Sequence, residues 1–317
     1  MYPKEDSYEI RGVTTILLMS KIFCLLPLWL ALFIGRCLGW VWYYLIPVRR
    51  SIARENVRRV LGRDLTERDQ RRIVRRSFEN LAMNVIETLR APIMTKELST
   101  KLVERQGVSN IEAAWSKGKG VLYVLTHIGN VDMIGFSQPG RGLPLHGVVK
   151  EIHWAPAQKF IKRVREATGL KLIPPKRSKG QIRDVLAQNE MIGLIVDQNL
   201  NPRHAIVCEF FGMLASTSPA PARFGFETGA PILPAVIFRQ GNSGHHLLRI
   251  EPEFILETPY PELDANIRHN TERLNRIVER WVREAPHQWL WAHRRWKVQD
   301  DPSGWEIPES LSHLLTP

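Results

Sequence analysis

One histidine and one aspartate stand five positions apart in the segment Thr126-His-Ile-Gly-Asn-Val-Asp132. They follow the apolar run 121–125, which is rich in strand formers and predicts a buried strand. In open α/β sheets, catalytic groups gather at the carboxyl ends of the strands. An aspartate across a turn from a histidine can bond one ring nitrogen, which leaves the other nitrogen free to act as a general base. The predicted catalytic pair is therefore His127 and Asp132.

The same spacing also arises by chance, and a capping or hydrogen-bonded loop histidine is the competing interpretation. Gly129 would let the chain turn sharply, and backbone amides of this loop could support an oxyanion. The sequence contains no Gly-x-Ser-x-Gly segment, so no serine stands in a nucleophile elbow. Direct transfer, in which an acceptor hydroxyl is itself the nucleophile, is therefore favoured over a covalent enzyme intermediate.

Short apolar runs alternate with helical patterns through the middle of the chain. After 121–125, the runs that predict strands are 147–149, 170–173, 192–196, 232–238 and, as a further candidate, 246–250. The helical patterns are 156–168, 178–188, 217–228 and 267–283. This alternation predicts an α/β fold with a mixed, mostly parallel central sheet and helices on both faces.

The N-terminal part is apolar, and Arg36 is the only charged residue between Ile22 and Val48. Such a run is long enough to cross a hydrocarbon core of ~30 Å. Because Pro27 and Gly39 interrupt it, a kinked span, a helical hairpin in one leaflet and a buried core helix all remain open. By the positive-inside rule, the arginines that follow keep the rest of the chain in the cytoplasm, and they could also hold anionic headgroups: Arg49, Arg50, Arg54, Arg58 and Arg59.

We expect three parts along the chain. Residues 1–50 form a membrane-associated segment, residues 51–298 an α/β catalytic domain, and residues 299–317 a polar tail that is loosely ordered. Within the second part, Thr66 is the predicted N-cap of a helix that runs to about Arg90.

The composition limits the partners and cofactors. The 317 residues include 44 lysines and arginines against 32 aspartates and glutamates, a formal charge of +12, which favours an anionic partner. A membrane surface or a phosphorylated substrate fits better than nucleic acid, because the sequence has no zinc-finger or RNA-binding aromatic motif. The three cysteines, at 24, 37 and 208, form no Cys-x-x-Cys pair and predict buried, reduced thiols. We expect neither a metal nor another cofactor.

With these motifs in this order, the chain resembles the bacterial lipid A late acyltransferases, the lauroyl and myristoyl transferases. They belong to the lysophospholipid acyltransferase superfamily, as does the mycobacterial phosphatidylinositol mannoside acyltransferase. The resemblance covers roughly residues 15–298. It rests on Arg49–Arg58 with Asn56, on Glu87 in Asn-Val-Ile-Glu, on 126–132, on Arg165-Glu-Ala-Thr-Gly169, on Val196-Asp-Gln-Asn199, on Glu209-Phe-Phe-Gly212, and on the segment from Gln288-Trp-Leu-Trp to Lys297.

The resemblance implies transfer of a fatty acyl chain to a hydroxyl of a glycolipid at the cytoplasmic face of the bacterial inner membrane. The donor would be an acyl thioester of acyl carrier protein or of coenzyme A. His127 would be the general base and Asp132 its partner. The cleft would be lined by substrate-binding residues, although solvated surface charge is the competing interpretation for the basic ones: Lys150, Arg163, Arg165, Asp197 and Gln198. The sequence His293-Arg-Arg295 would face anionic headgroups or cap the C-terminal helix.

Two features depart from the family pattern. Asp132 stands where many lipid A enzymes carry glutamate, and Asn199 and Leu200 follow the Asp-Gln pair where a charged or aromatic residue is expected. The acceptor is therefore either a lipid A precursor or another glycolipid or phospholipid, such as a phosphatidylinositol mannoside. A non-catalytic basic protein that binds anionic membranes is a third interpretation, but it gives the pair at 127 and 132 no role.

Overall fold

A computed structural model of the protein describes residues 7–137, 144–149, 152–175 and 178–315. In chain order its strands are β1 Val103–Gln106, β2 Val121–Leu125, β3 Leu145–Val148, β4 Lys171–Ile173, β5 Met191–Ile195, β6 Ile206–Phe210, β7 Met213–Thr217, β8 Ile232–Arg239 and β9 His246–Ile250. The main sheet has the strand order β1-β9-β8-β2-β5-β3-β4, and its neighbouring strands are parallel except β8 and β9. A mixed, mostly parallel sheet is thus confirmed, and β6 and β7 form a separate antiparallel hairpin.

The helices cover both faces of this sheet. They are α1 Ser7–Leu25, α2 Leu28–Leu45, α3 Arg50–Leu61, α4 Glu67–Leu89, α5 Lys96–Leu102, α6 Val108–Trp115, α7 Asp132–Ser137, α8 Ala155–Ala167, α9 Ser178–Ala187, α10 Ala220–Thr228, α11 Leu263–Glu284 and α12 Lys297–Asp300. Leu122 and Val124 of β2 enter a core with α9 and α11, whereas Tyr123 and Leu125 enter a second core with α6 and α8. Each β2 side chain is buried because the strand alternates between two covered faces.

The sequence pattern misses three strands. β1 is short and its side chains are mostly polar or partly exposed, as is typical of a strand at a sheet edge. The hairpin β6–β7 turns at Phe211 and Gly212, both of which have positive φ. Its second strand takes up residues 213–217, so the helix expected to begin at 217 begins instead at Ala220.

The apolar N-terminal part forms two helices that join at Pro27. At that corner, the guanidinium of Arg90 donates to the carbonyl oxygens of Phe23 and Leu26, the second at 2.6 Å. Ser20 also donates to the Leu89 carbonyl oxygen at 2.6 Å. These contacts tie the end of α1 to the end of α4, because they satisfy carbonyl groups that a helix C-terminus leaves open.

Helix α2 runs antiparallel along α4 at very short range. A Cβ atom on Gly39 would lie 2.4 Å from the Cα of Glu79, and one on Gly35 would lie 3.2 Å from the Cα of Met83. Glycine is therefore needed at position 39 for the two backbones to approach. Within the described residues, α2 is the helix whose length and composition would allow it to cross a membrane. The predicted N-cap of α4 is also present, since Thr66 accepts from the Asp69 amide at 3.2 Å.

The chain after residue 298 packs against the β6–β7 hairpin. Val298 and Leu311 share a small core with Val207 and Leu214. Gln299 accepts from the Leu214 amide at 2.8 Å and donates to the Leu314 carbonyl oxygen at 2.9 Å. The prediction of a loosely ordered tail is therefore wrong.

Candidate active site

His127 lies directly beyond the carboxyl end of β2, next to the end of β5. The two strands are parallel neighbours with Leu125 opposite Ile195, so the residues that follow them meet at one edge of the sheet. Asp197 is two residues past β5 and its side chain is 1% exposed, whereas the side chain of His127 is 26% exposed. The imidazole is thus reachable from solvent, and the carboxylate behind it is not.

Asp197 binds both the imidazole ring and the backbone amide of His127. Its Oδ1 lies 2.7 Å from Nδ1 of His127, and its Oδ2 accepts from the His127 amide at 2.8 Å. Trp289 donates its indole N–H to the same Oδ2 at 2.8 Å. Burial would raise the pKa of Asp197, but the charge of His127 and these hydrogen bonds hold it below its usual range. The ionised carboxylate places the ring proton on Nδ1.

Gln198 faces the other side of the ring. Its Nε2 lies 3.2 Å from Nε2 of His127. With the proton on Nδ1, this second nitrogen has a lone pair that accepts from the amide. A substrate hydroxyl that displaced the Gln198 amide would meet a nitrogen able to take its proton.

Asp132 does not contact the imidazole, so its predicted pairing with His127 is wrong. Its Oδ1 accepts instead from Nε of Arg165 at 2.9 Å, and Nη2 of the same guanidinium completes an ion pair at 2.8 Å. Asp132 opens α7, where its backbone amide bonds Asn130 at 3.2 Å, and its side chain turns towards α8. The sheet order explains the difference, because it brings the end of β5 against His127.

The structure brings some of the other predicted substrate-binding residues to His127 and leaves others apart from it. Asp197 and Gln198 meet at His127, and Arg165 binds Asp132 with both side chains 18% exposed. Arg163 is exposed on α8 and makes no ion pair within the described part of the chain. Lys150 lies outside the described residues.

Comparison with known proteins identifies the chain. A family model described as "Bacterial lipid A biosynthesis acyltransferase" matches residues 8–298. The chain belongs to this family. The resemblance predicted from its motifs is therefore confirmed, and the protein is an acyltransferase.

Several characterised proteins are similar to this acyltransferase at low identity. The lipid A biosynthesis lauroyltransferase of Escherichia coli is 23% identical over 244 residues, which cover 75% of this chain and 76% of that protein. The lipid A biosynthesis palmitoleoyltransferase of the same organism is 24% identical over 279 residues, with coverages of 86% and 87%. The phosphatidylinositol mannoside acyltransferase of Mycolicibacterium smegmatis is 25% identical over 253 residues, with coverages of 77% and 78%.

Hydrogen bonds and a close backbone contact at Gly129 fix the loop from 126 to 132 of the acyltransferase. Gly129 has φ +62°, and a Cβ there would lie 2.2 Å from the Ile237 carbonyl oxygen, so only glycine fits. Its N–H donates to the Gln288 carbonyl oxygen at 3.1 Å, and its own carbonyl oxygen accepts from Asn84 at 2.6 Å. The amides of His127 and Gly129 are both engaged, so they are not the oxyanion donors that the sequence suggested.

Beneath this loop lies a buried ion pair. Both Nη atoms of Arg239 donate to the Glu87 carboxylate at 2.6 Å, and Asn130 of the loop donates to the same carboxylate at 2.6 Å. Burial opposes ionisation of Glu87, but Arg239 and His246 outweigh it and hold the pKa of Glu87 below its usual range. Glu87 belongs to one of the family motifs, but its position under the loop was not predictable from the sequence, because its partners are 43 and 152 residues away.

The segment from Gln288 to Lys297 forms the opposite wall of the site. Besides Trp289, it contributes His293, whose Nε2 accepts from the Asn199 amide at 2.8 Å. Asn56 of α3 fixes this segment by donating to the Trp291 and His293 carbonyl oxygens at 2.7 and 2.8 Å. Arg295 is buried and donates to Thr217, so the prediction that this segment would face headgroups or cap a helix is wrong for His293 and Arg295. Arg294 is exposed, and its contact with headgroups stays a prediction.

The cysteines lie apart from these contacts. All three are free, and Cys208 is buried in β6, where desolvation raises the pKa of its thiol. Cys37 is exposed on α2, contrary to the expectation of buried thiols. In the ranges that the structure describes, no group of three or more histidine, cysteine or acidic side chains could hold a metal ion.

Replacing Glu87 tests the support beneath the loop. Glu87→Gln would leave the Arg239 guanidinium buried without a counterion, and we expect a loss of about 3–5 kcal/mol in the free energy of unfolding. Glu67→Gln on the same helix breaks only the exposed pair with Arg71 and should cost less than about 1 kcal/mol. Denaturant titration of both variants measures the difference. Equal losses would show that the buried pair does not support the loop.

His293 predicts a specific pH dependence of stability. Burial, then the charge of Arg295, lowers its pKa from 6.5 to about 4, since it must stay neutral to accept from Asn199. The folded state therefore binds fewer protons than the unfolded state between these values. The stabilisation is complete above pH 6.5 and is lost as the pH falls towards 4, by roughly 2–4 kcal/mol.

Melting temperatures between pH 7.5 and 4.5 measure this effect. His293→Gln keeps an acceptor for the Asn199 amide but does not titrate, so its melting temperature should fall less steeply than that of the wild type. His245→Gln, at an exposed position, is the matched control and should follow the wild type. A wild-type slope in His293→Gln would contradict the assignment.

Proposed function

We propose that the protein transfers a fatty acyl chain from an acyl thioester to a hydroxyl of a lipid A precursor, with His127 as the general base. One observation carries the proposal: in a member of this family, a buried carboxylate holds Nδ1 of a histidine whose side chain is 26% exposed. Asp197 replaces Asp132 as the partner of the base. The non-catalytic interpretation gives this arrangement no role.

In the proposed reaction, Nε2 of His127 removes the proton from the acceptor hydroxyl. The resulting oxygen attacks the thioester carbonyl carbon, and a tetrahedral intermediate forms. The C–S bond then breaks, and the imidazolium returns its proton to the departing thiolate. Asp197 stabilises the imidazolium between these steps, because it stays ionised 2.7 Å from Nδ1. General base catalysis of this kind contributes roughly 10²–10⁴-fold.

We assign Asp132 a positioning role through Arg165. A hydrogen bond and an ion pair to the carboxylate hold the guanidinium, and a planar guanidinium held on one edge can bind a phosphate with the other. Arg165 would thus hold a phosphate of the donor or the acceptor beside His127. Lys150 and Arg163 remain predicted contacts for the same anionic groups, and acyl carrier protein or acyl-CoA remains the predicted donor.

Replacing each member of the site separates these roles. We expect His127→Ala to lose nearly all transfer, and Asp197→Asn to lower kcat by roughly 10²–10⁴-fold because it removes the charge that supports the imidazolium. Asp132→Asn should instead raise KM, with kcat within about tenfold of the wild type. Transfer of a labelled acyl chain measures both constants, and melting temperatures check the fold. A larger kcat loss in Asp132→Asn than in Asp197→Asn would restore Asp132 as the partner.

A second acceptor has comparable support. The mycobacterial phosphatidylinositol mannoside acyltransferase is as similar to this chain as the lipid A enzymes, at 25% against 23% and 24% identity. Incubation with a labelled acyl thioester and a panel of lipid A precursors and mannosylated phospholipids would distinguish the two acceptors. Mass spectrometry of lipids from cells with and without the protein would identify the one used.

We also propose that α1 and α2 lie in one leaflet of the inner membrane, with the catalytic domain on the cytoplasmic face. Helix α2 packs along the charged helix α4, and α1 lies against α8, where Gly12 meets Pro156. A spanning α2 would draw the arginines of α4 into hydrocarbon, which is costly. The surface left uncovered is apolar and aromatic, as in-plane attachment requires: Leu18, Ile22, Leu25, Trp29, Phe33, Leu38, Trp40 and Tyr44.

The corner between α1 and α2 tests this topology. We expect Leu25→Cys, in a background with Cys24 and Cys37 replaced by alanine, to resist a membrane-impermeant maleimide in intact cells. Labelling should become complete after detergent solubilisation, because the thiol is then exposed to water. If α1 and α2 crossed the bilayer, Leu25, 86% exposed at the corner, would reach the far side. Labelling by the impermeant reagent would therefore overturn the single-leaflet arrangement.

A further inference from the structure

A polar cavity of about 820 Å³ adjoins the active site. Its walls come from α3, from the loop after β5 and from the chain that begins at Arg294. The volume lies within the range of ~300–1,000 Å³ that is usual for small-molecule sites. Gln198, whose amide lies 3.2 Å from Nε2 of His127, is followed directly by Asn199 and Leu200, which line the cavity. A molecule held here would therefore lie next to the base.

The C-terminal tail supplies part of the cavity wall. The tail residues that line it all lie beyond residue 298, where the match to the family model ends: Asp300, Asp301, Ser303 and Trp305. Trp305 packs against the small core at the β6–β7 hairpin, and its indole N–H has no acceptor among the residues that the structure describes. The ordered tail thus brings an aromatic ring and a free N–H donor to the cavity.

Three other lining residues have polar groups that the fold leaves unused. Asn56 is only 5% exposed, and both of its N–H groups donate to backbone carbonyl oxygens. Its Oδ1 accepts from no group in the described part of the chain. Arg294 and Lys297 are exposed, and neither makes an ion pair or a side-chain hydrogen bond within the described ranges. The cavity therefore offers a nearly buried acceptor and two available cations.

The remaining charges of the lining are engaged within the protein. Arg59 pairs with Glu55 and with Asp300, both at 2.7 Å. Asp301 accepts from the Ser303 amide at 3.0 Å. Other arginines near the start of α3 that were predicted to hold headgroups also have internal partners: Arg50, Arg54 and Arg58.

One end of the cavity lies at the apolar corner between α2 and α3. Ser51 and Ile52, in the first turn of α3, line the cavity. Just before them, Leu45, Ile46 and Val48 are 72%, 44% and 57% exposed. In the in-plane attachment proposed above, these apolar side chains meet the membrane. A lipid whose chains stay in the bilayer could therefore place its headgroup in the cavity.

We propose that this cavity binds the phosphorylated sugar of the acceptor glycolipid, with the phosphate at Arg294 and Lys297 and the sugar ring at Asn56 and Trp305. Sugar hydroxyls both donate and accept, so they suit an amide oxygen and an indole N–H. The apolar face of a sugar ring can pack on an indole, and cationic side chains bind phosphate. The proposal rests on acyl transfer to a glycolipid and names the part of the acceptor that the protein recognises.

Calorimetric titration of the full-length protein in detergent tests the site. The probes are the headgroups of a lipid A precursor and of a mannosylated phosphatidylinositol with their acyl chains removed, each with and without its phosphates. We expect tighter binding of the phosphorylated forms, and the tighter headgroup identifies the acceptor. His127→Ala should bind equally well, so the cavity is tested apart from the chemistry. Absence of binding to the wild type would overturn the site.

Two variants separate the phosphate from the sugar. We expect Arg294→Gln/Lys297→Gln to weaken binding of the phosphorylated headgroup roughly tenfold or more, because charge-assisted hydrogen bonds are lost. Binding of the phosphate-free form should change less than about threefold. Trp305→Leu keeps an apolar side chain on the small core but removes the indole, so both forms should bind about threefold or more weakly. Equal losses for both forms in the charge variant, or no loss in Trp305→Leu, would contradict the proposal.

The matched control is Arg68→Gln/Lys101→Gln, which removes one arginine and one lysine at exposed positions outside the cavity. It should bind as the wild type does, and an equal loss there would show that net charge alone is responsible. Melting temperatures check the fold of every variant. Inorganic phosphate should bind more weakly than the phosphorylated headgroup, and equal affinity would show that the sugar is not recognised.

Transfer kinetics distinguish the acceptor from the donor. We expect Arg294→Gln/Lys297→Gln to raise KM for the acceptor lipid and to leave KM for the acyl thioester unchanged. A raised KM for the thioester alone would assign the cavity to the donor and overturn the proposal. Headgroup binding without any acyl transfer would refute the proposed function and leave the sugar site standing.

Discussion

The hydrogen bonds around the buried carboxylate of Asp197 are the constraint on which the rest of the site depends. An isolated carboxylate in the interior is strongly disfavoured, so it must be surrounded by donors. Three donors reach it: the ring and the amide of His127 and the indole of Trp289. Because these groups belong to separate parts of the chain, the strand edge, the loop after β2 and the C-terminal wall must all be in place before the carboxylate is satisfied.

Two groups of hydrogen bonds support the loops of the active site, and they differ in charge. Beneath the loop after β2, the support is ionic, since Glu87 and Arg239 neutralise each other and Asn130 is bonded to the same pair. Beneath the loop after β5, the support is neutral, since His293 holds the Asn199 amide through a lone pair. The neutral support is the more sensitive to acid, because protonation of the His293 imidazole removes the lone pair that binds the Asn199 amide.

Local patterns were enough to predict most of the elements but not the partner of the base. The run at 121–125 is continuously apolar because both faces of β2 are covered, and so the strand and the position of His127 at its end were predictable. The choice of Asp132 followed proximity in sequence. The actual partner lies 70 residues on, and its approach depends on β5 being the neighbour of β2, a pairing that no local pattern specifies. Strands β6 and β7 were also missed, and they form a separate antiparallel hairpin outside the main sheet.

The distance along the chain between Asp197 and its indole donor affects how the protein is made. Trp289 is synthesised 92 residues after Asp197. Until then the carboxylate has an oxygen without its final donor, and the wall that holds Asn199 is absent. Nascent chains fold as they are synthesised, with the earlier parts first. The strands of the main sheet are therefore all made before the imidazole is fixed in position, and the tryptophan that completes the site also belongs to the core that covers one face of β2.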